Sequence, residues 1–138
     1  MIAVIFEVQP HADRKADYLQ AAAKLRPLLD EVDGFISIER FESLASPGKI
    51  LSLSYWRDEE AVRQWRNNDE HRQVQSAGRD FIFASYRLCV AQVLRAYDMH
   101  DRAQAPEDSR AAHGQASDCS ADDPQATPGS DTTEGEGL

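Results

Sequence analysis

Hydrophobic positions along the first hundred residues follow two different periods. "IAVIFEV" (Ile2–Val8) is a continuous apolar run rich in β-branched residues, which predicts a buried central strand closed by Pro10. From Ala12 to Val32 the period becomes helical. Tyr18, Ala22, Leu25, Leu29 and Val32 fall on one stripe, while Asp13, Arg14, Lys15 and Lys24 lie off it. Pro27 removes a backbone donor, so the helix is expected to kink or end near Arg26 and resume as a short turn. Asp33-Gly34 is a stop and turn signal. "FISIERFESL" (Phe35–Leu44) and "KILSLSYW" (Lys49–Trp56), separated by "ASPG", then read as an antiparallel hairpin. In its second arm Leu51, Leu53 and Tyr55 alternate with Ser52, Ser54 and Trp56, the period of a half-buried strand.

The helical period returns at Asp58, an N-cap for a helix carrying Ala61, Val62 and Trp65. Asn67-Asn68 interrupt it. Asn68 caps a second helix, with Asp69 and Glu70 complementing the dipole of its first turn. That helix continues through Val74, Ala77 and Phe81, with Gly78 as its weak point. "YRLCVAQVLRAY" (Tyr86–Tyr97) is a β run well beyond the usual strand length. The order strand, helix, strand, strand, helix, strand predicts an α+β, ferredoxin-like βαββαβ sheet with helices on one face. Four strands leave the other face uncovered. A long last strand that reaches across to a second subunit would close two sheets into a shared barrel, so a homodimer is expected.

Composition divides the chain at about the same place. Large apolar residues recur up to Tyr97 and almost vanish beyond it. From His100 onward nine acids face only Arg102 and Arg110, so −7 of the formal charge of −9 lies in the tail. The expected organisation is a folded domain over 1–99 and an acidic tail over 100–138, disordered from Ala103 because it lacks apolar residues to bury. The folded part is close to charge balance and shows no basic stripe, which argues against a nucleic-acid partner. The N-terminal apolar run is too short to span a membrane. Cys89 and Cys119 make no disulfide framework. These features fit a soluble cytoplasmic protein. His11, His71, His100 and His113 are too scattered to form a metal set.

Gly34-Phe35 opening the hairpin, the "SYW" strand end and the "WRNNDEHR" helix junction (Trp65–Arg72) resemble the antibiotic biosynthesis monooxygenase (ABM) family over about residues 1–98. The resemblance implies a dimeric α+β barrel with a cavity between sheet and helices in each subunit. Some members of that family are cofactor-independent monooxygenases of phenols or quinols, and others bind and degrade haem. The haem-degrading members use a Trp on one helix, an axial His about ten positions later and an Asn on the first strand. Trp65 matches the first of these. Gln75 stands at the axial position, His71 comes one turn too early, about 6 Å along a helix, and Phe6-Glu7 replace the Asn. The resemblance therefore points to oxidation of a small aromatic, quinol-like or phenol-like compound by O₂ without a cofactor, with haem chemistry or a non-catalytic binding module as alternatives.

A deprotonated phenol donates an electron to O₂ on its own, so the protein need supply only an apolar pocket and a group that takes the proton. Imidazole is the natural base near neutral pH. The candidate base is His71, and the candidate aromatic walls are Trp65, Trp56, Phe81, Phe83 and Tyr86. Each has a structural explanation as well: Trp65 as helix core, His71 as a capped first-turn residue, Trp56 and Tyr86 as packing at a rim or interface. Arg57, Arg63, Arg66 and Arg72 read as a solvated face, with Arg63 or Arg66 placed to draw an anion to the pocket mouth.

Overall fold

A computed structural model describes residues 1–113. The strands are β1 (Ile2–Pro10), β2 (Phe35–Glu42), β3 (Ile50–Trp56) and β4 (Phe83–Gln92). Helix α1 (Lys15–Asp30) links β1 to β2, and α2 (Glu59–Arg66) and α3 (Asp69–Ala77) link β3 to β4 through a π-helical turn at Gly78–Ile82. The sheet is antiparallel in the order β2-β3-β1-β4, which is the expected ferredoxin-like α+β fold. Met1–Val93 forms one compact unit, and a second begins at Leu94.

The register sorts the side chains into faces. Ile2, Val4, Phe6 and Val8 of β1 lie opposite Trp56, Ser54, Ser52 and Ile50 of β3, and this set packs with or faces the helices. Ala3, Ile5 and Glu7 pair with Tyr55, Leu53 and Leu51 on the reverse face. The serines of "LSLSYW" thus turn toward the helical side and its leucines turn away. The reverse face is mixed, with Ile5, Leu51, Leu53 and Cys89 beside Glu7, Glu39 and Arg87.

The predicted stripe of α1 is the buried one: Tyr18, Ala22, Leu25 and Leu29. The helix does not end at Arg26 but runs through Pro27 to Asp30. Pro27 lies in the last turn, so one ladder bond is lost while Leu25 and Leu29, both nearly inaccessible, hold the segment in the core. Gly34 has φ +91°, and an added Cβ would come within 2.9 Å of the Ala61 Cβ, so the turn into β2 requires glycine. Asp58 caps α2 by accepting from the Ala61 amide at 2.9 Å. Asn68 caps α3 by accepting from the His71 amide at 3.1 Å.

The last strand differs from expectation. It starts at Phe83, before Tyr86, and ends at Gln92, before Tyr97, with Val93 still bonding back to the Met1 carbonyl. In the second unit, a short helix α4 (Glu107–His113) occupies part of the stretch expected to be disordered from Ala103. Its acids Glu107 and Asp108 sit in the first turn and its bases Arg110 and His113 in the last, which suits the helix dipole. The rest of the expected disordered tail lies outside the described residues. No helix among the described residues is long and apolar enough to cross a membrane.

Candidate functional site

Between the sheet and helices α1–α3 lies a cavity of about 510 Å³. Its floor is the helix-facing surface of the sheet. One row across it reads Arg40, Ser52, Phe6, Leu88, and the next reads Ile38, Ser54, Val4. Tyr18, Leu25 and Leu29 of α1 close one side, and Trp65 and His71 close another. Trp56 ends β3 at 2% exposure, its indole N–H donating to the Ser54 hydroxyl at 2.9 Å and its ring edge-on to Phe35 at 5.2 Å. Phe83 and Tyr86 stand at the far end, where Phe6, Phe83 and Tyr86 contact one another with ring centroids 5.8–6.0 Å apart.

Five of the six expected site residues therefore line one cavity: Trp56, Trp65, His71, Phe83 and Tyr86. Phe81 does not. It is 68% exposed, because the π-helical turn inserts an extra residue before β4 and passes the inward position to Ile82 and Phe83. Gly78 is part of the same arrangement. A Cβ there would meet the Phe83 ring at 2.7 Å, so the helix end must stay bare for the ring to lie against it.

His71 is held in one state by its neighbours. Its ring stacks on Trp65 with centroids 4.4 Å apart and planes 24° from parallel. Its Nδ1 lies 3.1 Å from the Trp65 carbonyl oxygen. A carbonyl can only accept, so Nδ1 carries the proton and donates, and Nε2 of the neutral ring keeps its lone pair. Burial pushes the imidazole below its ordinary pKa, and the bond to the Trp65 carbonyl opposes that push only in part. The result is a neutral, oriented imidazole whose other nitrogen, basic, has no partner among the described residues. Sequence reading located His71 but not its stacking partner, since Trp65 and His71 belong to different helices and meet only because the Asn67-Asn68 junction folds them together.

The donor set does not suit haem. At the axial position Gln75 offers an amide, and the indole expected to press on a porphyrin is instead occupied against the His71 ring. No group of three or more metal-ligating side chains gathers among the described residues.

The arginines divide by position. Arg57 is bridged to Asp33 and Asp58, and Arg63 to Glu60, all at the surface. Arg66 and Arg72 do reach the cavity, with Arg72 bonded to the Arg66 carbonyl and the Asn67 side chain. Cavity-lining residues that the sequence did not single out for the site are Arg40, Ser52, Ser54 and Tyr18. The alternation in "LSLSYW", whose serine side faces inward, was a signal for Ser52 and Ser54 alone.

The family model described as "Antibiotic biosynthesis monooxygenase" matches residues 1–77. The chain is 47% identical over 93 residues to "Jasmonate monooxygenase ABM" of Pyricularia oryzae, a match covering 67% of this chain and 43% of that protein, so the chain spans less than half the relative's length. Among solved structures, Rv0793 from Mycobacterium tuberculosis superposes with a TM-score of 0.63 at 16% identity, over 70% of this chain and 98% of that one. SnoaB, a cofactor-independent oxygenase from Streptomyces nogalater, gives 0.60 at 12% identity, over 69% and 94%. At these identities the structures speak to the fold.

Proposed function

The chain belongs to the antibiotic biosynthesis monooxygenase family, and from that premise we propose that it oxygenates a small phenol-like or quinol-like compound with O₂ and no bound cofactor. The observation that carries this reading is His71: neutral, fixed by the Trp65 carbonyl and stacked in an aromatic wall, with Nε2 available to accept a phenolic proton. Trp65, Trp56, Phe83 and Tyr86 supply apolar and aromatic surface against which a flat ring packs. Once deprotonated, the ring donates an electron to O₂. When a ring methylene is oxidised to a carbonyl, two hydrogens leave, one oxygen atom enters and the other departs as water, so no further reductant is required. SnoaB, described as cofactor-independent, supports this class of chemistry by fold likeness.

The reading includes a homodimer. Tyr86, Leu88 and Val90 on the helix side of β4 are 47%, 53% and 45% exposed, and the first two line the cavity. A second copy against this edge would bury them and complete the wall. Light scattering after size exclusion that finds a monomer at micromolar concentration would overturn this part.

The test of the activity is oxygen uptake with a panel of quinols and phenols, with jasmonate added because of the Pyricularia oryzae relative. Uptake above autoxidation that falls at least a hundredfold in His71→Ala supports the reading, general-base contributions being about 10²–10⁴-fold. Uptake at the background rate with every compound, accompanied by a raised melting point, would mean a binding module instead.

A further inference from the structure

Charge inside the cavity is strongly one-sided. Arg40, Arg66, Arg72 and Arg79 line it and no carboxylate among the described residues does, in a chain with 24 acids against 15 bases. Outside the cavity pairing is common but not general, since Arg87, Arg95 and Arg110 have no ion pair among the described residues. Arg14, Arg26, Arg57 and Arg63, outside the cavity, are each bridged to an acid at 2.7–3.1 Å. None of the four cavity arginines has a carboxylate partner among the described residues.

Arg40 is the innermost of the four. It sits on β2, half-buried, with Nε 3.4 Å from the Tyr18 hydroxyl and the guanidinium over the Tyr18 ring at 6.0 Å. Ser52, at 7% exposure, lies beside it in register and also lines the cavity. The next acid along that strand face, Glu42, is taken by Lys15 at 2.9 Å. A half-buried guanidinium without a counter-ion is costly, and its planar fork matches a carboxylate bidentately.

Resting on the reading of the cavity as a substrate site, we propose that the substrate is an anion: an apolar ring compound bearing a carboxylate, held by Arg40 with the Ser52 and Tyr18 hydroxyls beside it. Arg40 sets specificity, and Arg66, Arg72 and Arg79 bias the mouth toward anions. A buried charge-assisted bond of this kind corresponds to roughly tenfold to a hundredfold in affinity.

Calorimetric titration with naphthalene-2-acetate and with its neutral amide tests this without turnover. The wild-type protein is expected to bind the acid at least tenfold more tightly than the amide. Arg40→Met is expected to abolish that preference while leaving amide affinity within about twofold, and Arg40→Lys to keep part of it. The wild-type comparison stands even if a variant fails to fold. Equal affinity for acid and amide, or no binding of either, would overturn the proposal. Binding of 2-naphthol in that same wild-type titration would show that the cavity reading survives such a failure. A full acid preference in a protein that consumes no O₂ would sustain this proposal while removing the oxygenase.

Discussion

Replacing Trp65 by alanine tests packing and chemistry together, because one side chain serves both. Trp65 is 9% exposed and belongs to the core formed with Leu25, Leu29, Trp56 and Ala61. Nearly its whole surface is buried, roughly 200 Å² for an indole residue. At about 25 cal/mol per Å² that is about 5 kcal/mol, lowered because real unfolded chains already hide part of it. The expected loss is about 3–5 kcal/mol, the range for large aromatic truncations. The same change strips the indole from one face of the His71 ring. Water then reaches the imidazole, and its pKa rises toward the ordinary value of about 6.5. Urea denaturation followed by circular dichroism measures the first effect, and proton NMR titration of the His71 ring measures the second. A loss under about 1 kcal/mol with an unmoved His71 pKa would refute the stacked, buried arrangement.

Other expectations follow from the same geometry. Gly78→Ala places a Cβ against the Phe83 ring, so ring and turn must shift, and quinol uptake is expected to fall more than stability measured by thermal melting. Asn68→Ala removes the cap on the His71 amide and is expected to cost about 1 kcal/mol in denaturation experiments. His71 also makes stability depend on pH. Its folded pKa lies below the unfolded value, so as pH falls from about 6.5 toward the folded pKa the unfolded chain takes up a proton that the native state resists. Stability is expected to decline across that window and to show no His71 contribution above it. His71→Gln should flatten this part of the profile, as compared by urea midpoints at pH 7.5 and 5.

Much of the fold was legible because local signals agreed with tertiary demands. The α1 stripe, the Asp58 and Asn68 caps and the Gly34 turn each appear where the periodicity and cap residues put them. Pro27 misled because tertiary burial of Leu29 outweighs one missing backbone bond at the helix end. The last strand misled because apolar character alone does not mark where a ladder starts or stops. In the site, aromatic residues and the lone imidazole could be found by type. Phe81 was misplaced because a π-helical turn breaks the helical count used to aim it. Arg40 went unnoticed because a single charge in "SIERFES" looks like any solvent-facing strand residue until α1 brings Tyr18 over it. The gathering of four arginines without carboxylate partners around one cavity is a three-dimensional property with no local signature.

The central claim is that His71, neutral and fixed at Nδ1, is the base that starts oxygenation. The direct test is the pH dependence of kcat/KM for oxygen uptake, using an active phenol whose own pKa exceeds 9, set beside the NMR titration of His71. Activity should fall as pH drops through the His71 pKa, at a midpoint below about 6.5 that coincides with the ring titration. A midpoint unrelated to that titration, or the same profile and rate in His71→Gln, would contradict it.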